Sequence, residues 1–184
     1  PFTWASGIQS PIYCDNRKTL AYPTVRTYIR QEFVQLILEK FGKPDVIAGV
    51  ATGGIAHGVL VAQELGLPFI YVRSDAKAHG LGNQIEGDYE SGQSVVVIED
   101  LISTGGSSLK AVKALKEAKL SVKGLAAIFT YGFDESVQSF KQAKCKFETL
   151  TNYEFLMEQA IKEKYIDESN LDSLLKWKEN PKAW

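Results

Sequence analysis

Apolar residues set the rhythm of this chain, and their period switches repeatedly between that of a helix and that of a strand. After an irregular opening, Pro23-Thr24 starts a helix in which Val25, Tyr28, Ile29, Phe33, Leu36, Ile37 and Phe41 recur at helical spacing until Gly42. The run from Asp45 to Ala51 is short and apolar after its first residue, a pattern that fits a buried strand. Residues 54–65 read as a helix closed by Gly66, and Phe69–Val72 as a second strand. Ser94–Ile98 is a strongly β-branched third strand, followed by a helix over 107–119 with Leu109, Val112 and Leu115 on one face. Leu125–Phe129 and 147–151 supply two more strands, separated by a short helix over 135–143. Asn152 caps a helix to about Tyr165, and 168–178 forms the last one. Strands that alternate with helices, and are apolar along their whole length, predict an α/β fold. The expected sheet is doubly wound, mostly parallel, of about five strands, with helices on both faces.

Residues 74–93 break the rhythm. The stretch SDAKAHGLGNQIEGDYESGQ holds four glycines, few apolar side chains and a cluster of charges. A segment of this length without structure inside a compact domain marks a functional loop or disorder, so 74–92 is expected to be mobile. There are no internal repeats or low-complexity tracts, and residues 1–184 are expected to form one domain.

Composition narrows the classes of partner. Lys plus Arg total 21 against 22 acids, for a net charge of −1. That balance lacks the basic excess of a protein that tracks a nucleic acid, while a compact ligand with few phosphates stays open. Cys14 and Cys145 lie far apart and match no metal or CxxC spacing, as expected of free thiols in a reducing cytoplasm. No apolar run approaches the ~20 residues that cross a bilayer, and no signal peptide is visible. A cytoplasmic protein without membrane or nucleic-acid partners is expected.

In an open parallel sheet, ligands bind beyond the carboxyl ends of the strands, where strand order reverses. The stretch to weigh is therefore VVVIEDLISTGGSS, residues 95–108. Four buried residues drive a strand into the core, two acids follow, and a Ser/Thr/Gly turn opens a helix. Thr104 to Ser108 offer consecutive backbone N–H groups, and Gly105 and Gly106 let that backbone wrap closely around an anion. Glu99 and Asp100 would repel a phosphate but suit sugar hydroxyls, with a divalent cation nearby. A ribose 5-phosphate satisfies both halves. The Walker A loop is excluded because no Lys follows these glycines, and GxGxxG is absent after the first strand.

The same stretch resembles the 5-phosphoribosyl 1-diphosphate (PRPP) motif of the type I phosphoribosyltransferases. Two further segments narrow the resemblance to the bacterial orotate phosphoribosyltransferases. SGIQSPIYCDNR, residues 6–17, is similar to their N-terminal hood, which here spans 1–23. RSDAKAHG, residues 73–80, is similar to their catalytic loop, with Arg, Lys and His spaced as in the family. The resemblance covers nearly the whole chain, from Phe2 to about Tyr165.

That resemblance implies transfer of ribose 5-phosphate from PRPP to orotate, giving orotidine 5′-monophosphate in pyrimidine (UMP) biosynthesis. Glu99, Asp100, Leu101, Ile102, Ser103, Thr104, Gly105, Gly106 and Ser107 would hold the ribose 5-phosphate, the acids on its 2′ and 3′ hydroxyls. Ser103 would also touch orotate. Arg73, Lys77 and His79 would bind the diphosphate as catalytic residues, the 74–92 loop reaching into the neighbouring site of a homodimer. Thr52, Gly53 and Gly54 match the diphosphate-side turn. Mg²⁺ would be bound mainly through PRPP, with no direct protein ligand. The chain departs from many relatives at Ala5, Ser74 and near Tyr131, where basic residues are absent. Arg17, Tyr13 or backbone amides would then meet orotate. On spacing alone Lys77 and His79 are ordinary solvated side chains, Tyr13 and Arg17 could be hood packing and a surface charge, and His57 is a packed or capping residue. A purine or xanthine phosphoribosyltransferase, and a PRPP-sensing regulator without catalysis, are the competing readings.

Overall fold

The computed structural model describes residues 1–4, 7–74 and 84–181. Phe2–Thr3 (β1) and Gln9–Ser10 (β2) pair as a small antiparallel hairpin. A 3₁₀ turn over Asn16–Ala21 leads into α1 (Pro23–Lys40), whose proline occupies the first turn, where a missing N–H costs nothing. There follow β3 (Val46–Val50), α2 (Gly53–Leu65), β4 (Phe69–Val72), β5 (Ile85–Glu86), β6 (Ser94–Ile102) and α3 (Gly106–Glu117). The chain continues through β7 (Ser121–Thr130), α4 (Asp134–Gln142), β8 (Phe147–Asn152) and α5 (Tyr153–Lys162). After a 3₁₀ turn at Glu168–Asn170, α6 (Leu171–Glu179) completes the described order.

The main sheet has six strands in the order β5-β4-β3-β6-β7-β8, parallel except for β5. The doubly wound α/β expectation holds, with one more strand than the five expected. Successive strand residues face opposite sides. Val95 and Val97 join a core with Leu115 and Phe140, while Val96 and Ile98 join another with Phe33, Ile37 and Trp177. From β3 the chain moves one way to β4 and then returns to place β6 on the other side. Strand order therefore reverses between β3 and β6, and a crevice opens at their carboxyl ends.

Two expectations are corrected. The third strand runs on past Ile98 to Ile102, because β7 pairs with it as far as Leu101–Phe129 and Ile102–Thr130. The stretch 74–92 is not structureless throughout: Ile85–Glu86 add an antiparallel edge to β4, Ile85 is buried, and Tyr89 packs on the core. Arg73 and Gln84 brace the base of the excursion, the Arg73 N–H donating to the Gln84 carbonyl at 2.9 Å and Gln84 Nε2 to the Arg73 carbonyl at 2.8 Å. Residues 75–83 of the stretch lie outside the described residues.

Candidate active site

Two glycine-bearing turns flank the crevice. The first leaves β3 through the cis peptide Ala51–Thr52 and enters α2 at Gly53. It lies hard against β6: a Cβ on Gly53 would collide with the Asp100 carboxylate, and one on Gly54 with the Ile98 carbonyl oxygen. The second turn leaves β6 at Ser103. Gly105 takes φ +84° as the residue before α3, and a Cβ there would also lie 2.7 Å from the Phe140 ring. Gly106 and Ser107 are exposed, and a Cβ on Gly106 would meet nothing within 4 Å. Gly105, the N-cap of α3, has no side chain with which to cap the helix. Its first-turn N–H groups have no intrahelical acceptors, and with the positive end of the helix they form an anion seat.

Glu99 and Asp100 are neighbours on β6 and so point to opposite faces. Glu99 is buried, its Oε2 accepting from Ser108 Oγ at 3.0 Å and its Oε1 from the Asp100 N–H at 3.1 Å. Burial, reinforced by the Asp100 charge, holds the Glu99 carboxyl well above the usual carboxylate range. Asp100 faces the crevice.

The N-terminal segment roofs that crevice and encloses a cleft of about 740 Å³. Thr3, Trp4, Tyr13, Cys14, Asp15 and Arg17 line it from the roof, Thr52 and Gly53 from the first turn, and Asp100, Leu101 and Ser103 from the end of β6. Tyr131, just past β7, closes the back. Asn16 ties roof to floor, its Nδ2 donating to the Asp100 carbonyl at 2.7 Å. Thr19 Oγ1 donates to the Asn16 carbonyl at 2.6 Å and lies 3.5 Å from Nε2 of buried His57. Arg17 Nε contacts Asp15 Oδ1 at 2.7 Å, an edge-on contact that leaves guanidinium N–H groups for another anion. Burial, with Asp100 and Asp15 nearby, pushes the Cys14 thiol up to about 11. Burial likewise raises the Tyr131 hydroxyl.

The structure brings Tyr13, Arg17, Thr52, Gly53, Asp100, Leu101 and Ser103 to one cleft. Gly54 and Ile102 are buried and Glu99 faces the other side of the sheet. Gly105, Gly106 and Ser107 form the anion seat, and Thr104 lines an adjoining cavity of about 170 Å³ with Ile8 and Phe133. Arg73 sits past β4, Nη1 3.4 Å from Glu86 Oε1 and away from the cleft lining. Lys77, His79 and Ala5 lie outside the described residues. Thr3, Trp4, Asp15 and Asn16 carry no recognisable signal in the sequence, although Asp15 and Asn16 stand inside the hood segment 6–17. Among the described residues, no three His, Cys, Asp or Glu side chains converge to hold a metal ion, and no helix is long and apolar enough to cross a membrane.

Residues 21–164 match the phosphoribosyl transferase domain family. The orotate phosphoribosyltransferase of Phocaeicola vulgatus is 56% identical over all 184 residues, which cover 87% of that protein. That of Listeria innocua is also 56% identical over the full chain and is covered to 88%. In three dimensions, the orotate phosphoribosyltransferase of Aeropyrum pernix superposes with TM-score 0.78 at 25% identity, over 86% of this chain and 88% of its own. Leishmania donovani UMP synthase gives TM-score 0.80 at 29% identity over 96% of this chain, which spans only 38% of that longer protein. Full-length identity of this order, together with the family match over residues 21–164, leads to one conclusion: the chain belongs to the orotate phosphoribosyltransferase family.

Proposed function

We propose that the protein transfers ribose 5-phosphate from PRPP to orotate, giving orotidine 5′-monophosphate and diphosphate as a step of pyrimidine (UMP) biosynthesis. The observation that carries this reading is a single crevice with an anion seat, a carboxylate and a roofed cleft side by side. The 5-phosphate rests on the N–H groups of Thr104 to Ser107. Asp100 accepts from the ribose hydroxyls. Glu99, on the far face, braces α3 through Ser108 and reaches the sugar only if its side chain turns. Orotate lies under the roof between Ser103, Tyr13 and Tyr131, its carboxylate taken by the free edge of Arg17.

The C1–O bond to diphosphate breaks as the N1–C1 bond to orotate forms and the N1 proton is released with the diphosphate, so positive character builds on the ribose and negative charge on the leaving group. No covalent protein nucleophile is required; catalysis is positioning and electrostatic stabilisation. Arg73, Lys77 and His79 stabilise the leaving diphosphate, the 74–92 loop closing over the neighbouring site of a homodimer. The chain suits Mg²⁺ carried in by substrate: the cleft offers Asp100 and no converging set of ligands, and this ion typically takes one or two carboxylates, substrate phosphates and waters. When bound, the ion neutralises part of the diphosphate charge. A cytoplasmic location belongs to the same proposal.

The test is an assay of orotate against hypoxanthine, guanine and xanthine, each with PRPP and Mg²⁺. Orotate alone should be consumed; preference for a purine would overturn the reading. Mixing a Lys77→Ala chain with a Ser107→Glu chain tests the shared site. Activity should reappear in the mixture if the loop works in its neighbour, and stay absent if each subunit is self-contained.

A further inference from the structure

The back wall of the cleft is held from behind by a part of the chain remote from the substrates. Trp177, on α6, is completely buried, and its Nε1–H donates to the Gln9 carbonyl at 2.7 Å, across 168 residues. The same indole meets Trp4 edge-on at a centroid distance of 5.9 Å and Tyr131 at 5.6 Å. Trp4 and Tyr131 in turn lie 4.9 Å apart, and both line the cleft. Trp177 itself does not line it. Gln9 belongs to β2, Trp4 to the turn between β1 and β2, and Tyr131 follows β7, so a side chain of α6 touches both the hairpin and the end of β7. The matched phosphoribosyl transferase domain spans residues 21–164, so the hairpin and α6 both fall outside it.

We infer that Trp177 is a positioning residue for the base side of the reaction: through the Gln9 carbonyl and the Trp4–Tyr131 pair, α6 fixes the wall against which orotate lies. The inference rests on the functional reading above. The hairpin alone is two residues per strand, too short to hold a fixed shape. A hydrogen bond from a buried indole and edge-on ring packing supply the missing constraint. α6 borders the Thr104 cavity through Lys178 and Glu179, but the Trp177 ring packs on Trp4, Tyr131 and Phe133, so its substitution should act on the orotate side.

Trp177→Phe keeps an aromatic ring and removes the N–H. It is expected to raise KM for orotate roughly fivefold or more, the factor that about one buried hydrogen bond is worth, with KM for PRPP unchanged. Leu174→Ala is the companion variant. It removes buried volume from the same helix, while the Leu174 carbonyl still accepts from Tyr153. It should lower the melting temperature without changing KM for orotate. The inference fails if Trp177→Phe leaves orotate KM unaltered, if both KM values rise together, or if Leu174→Ala raises orotate KM as much. A measurement on the unaltered chain stands apart from refolding of any variant. Hydrogen exchange at the Trp177 indole N–H should slow when orotidine 5′-monophosphate binds and not when ribose 5-phosphate binds, and equal rates would refute the inference. If the unaltered protein does not consume orotate at all, the functional reading has failed instead.

Discussion

The two turns at the switch point both contain adjacent glycines, and they use them for opposite reasons. In Thr52-Gly53-Gly54 a side chain has no room, because the turn is pressed onto Asp100 and the Ile98 carbonyl. In Gly105-Gly106 the first glycine supplies a left-handed backbone, and the second leaves open space in front of helical N–H groups. One pair permits strand-to-turn packing; the other leaves the N-terminus of α3 open. A glycine pair in sequence therefore does not say which role it has, and substitution can separate the two.

The largest effect is expected at Gly54. Its Cβ would strike backbone, at Ile98 and Glu99, which cannot swing aside. Gly54→Ala should cost about 3 kcal/mol of stability in urea denaturation, at the upper end of overpacking. An unchanged midpoint would mean that the first turn is not pressed onto β6. Gly105→Ala comes next, at about 2 kcal/mol, from a left-handed φ and contact with Phe140. Gly53→Ala meets the whole Asp100 carboxyl group, Cγ included, so the Asp100 side chain must turn aside. Stability should fall less than in Gly54→Ala, where the obstacle is backbone. KM for PRPP should rise roughly tenfold, the value of about one hydrogen bond to a charged group. Gly106→Ala should be stabilising by about 0.5 kcal/mol, since nothing opposes the methyl and the helix gains a better former. Any loss of PRPP affinity in that variant would then report on the ligand and not on the fold.

Smallest of all should be the response of the roof to thiol reagents. Only the thiolate reacts, and with the Cys14 thiol pushed up to about 11, on the order of a thousandth of it is ionised at pH 8. Iodoacetamide should alkylate Cys14 slowly at pH 8 and faster as pH climbs towards 11. Labelling at pH 7 as fast as that of a free cysteine would show the roof open and Asp100 turned away.

Much of this architecture was legible in the sequence. The continuous apolar runs of β3, β4, β6 and β7 read as buried strands, and their alternation with helices pointed to a parallel sheet. What stayed hidden depended on partners distant in sequence. The extension of β6 to Ile102 is set by its pairing with Phe129 and Thr130, which no local pattern announces. The two residues of β5 are too few to show a period. The acids looked equivalent because the strand read as ending at Ile98; with β6 running on to Ile102, alternation separates Glu99 from Asp100. Asn16 and Trp177 act across 84 and 168 residues, and nothing near them in sequence marks their acceptors.

The central claim is that the turn after β6 seats the phosphate of PRPP, and one substitution tests it with little risk to the fold. Ser107→Glu puts a carboxylate in the first turn of α3, where the helix favours a negative charge but a bound phosphate does not. Calorimetric titration with PRPP and Mg²⁺ should show uptake by the unaltered protein and none by Ser107→Glu at an undiminished melting temperature. Equal uptake by both would contradict the account.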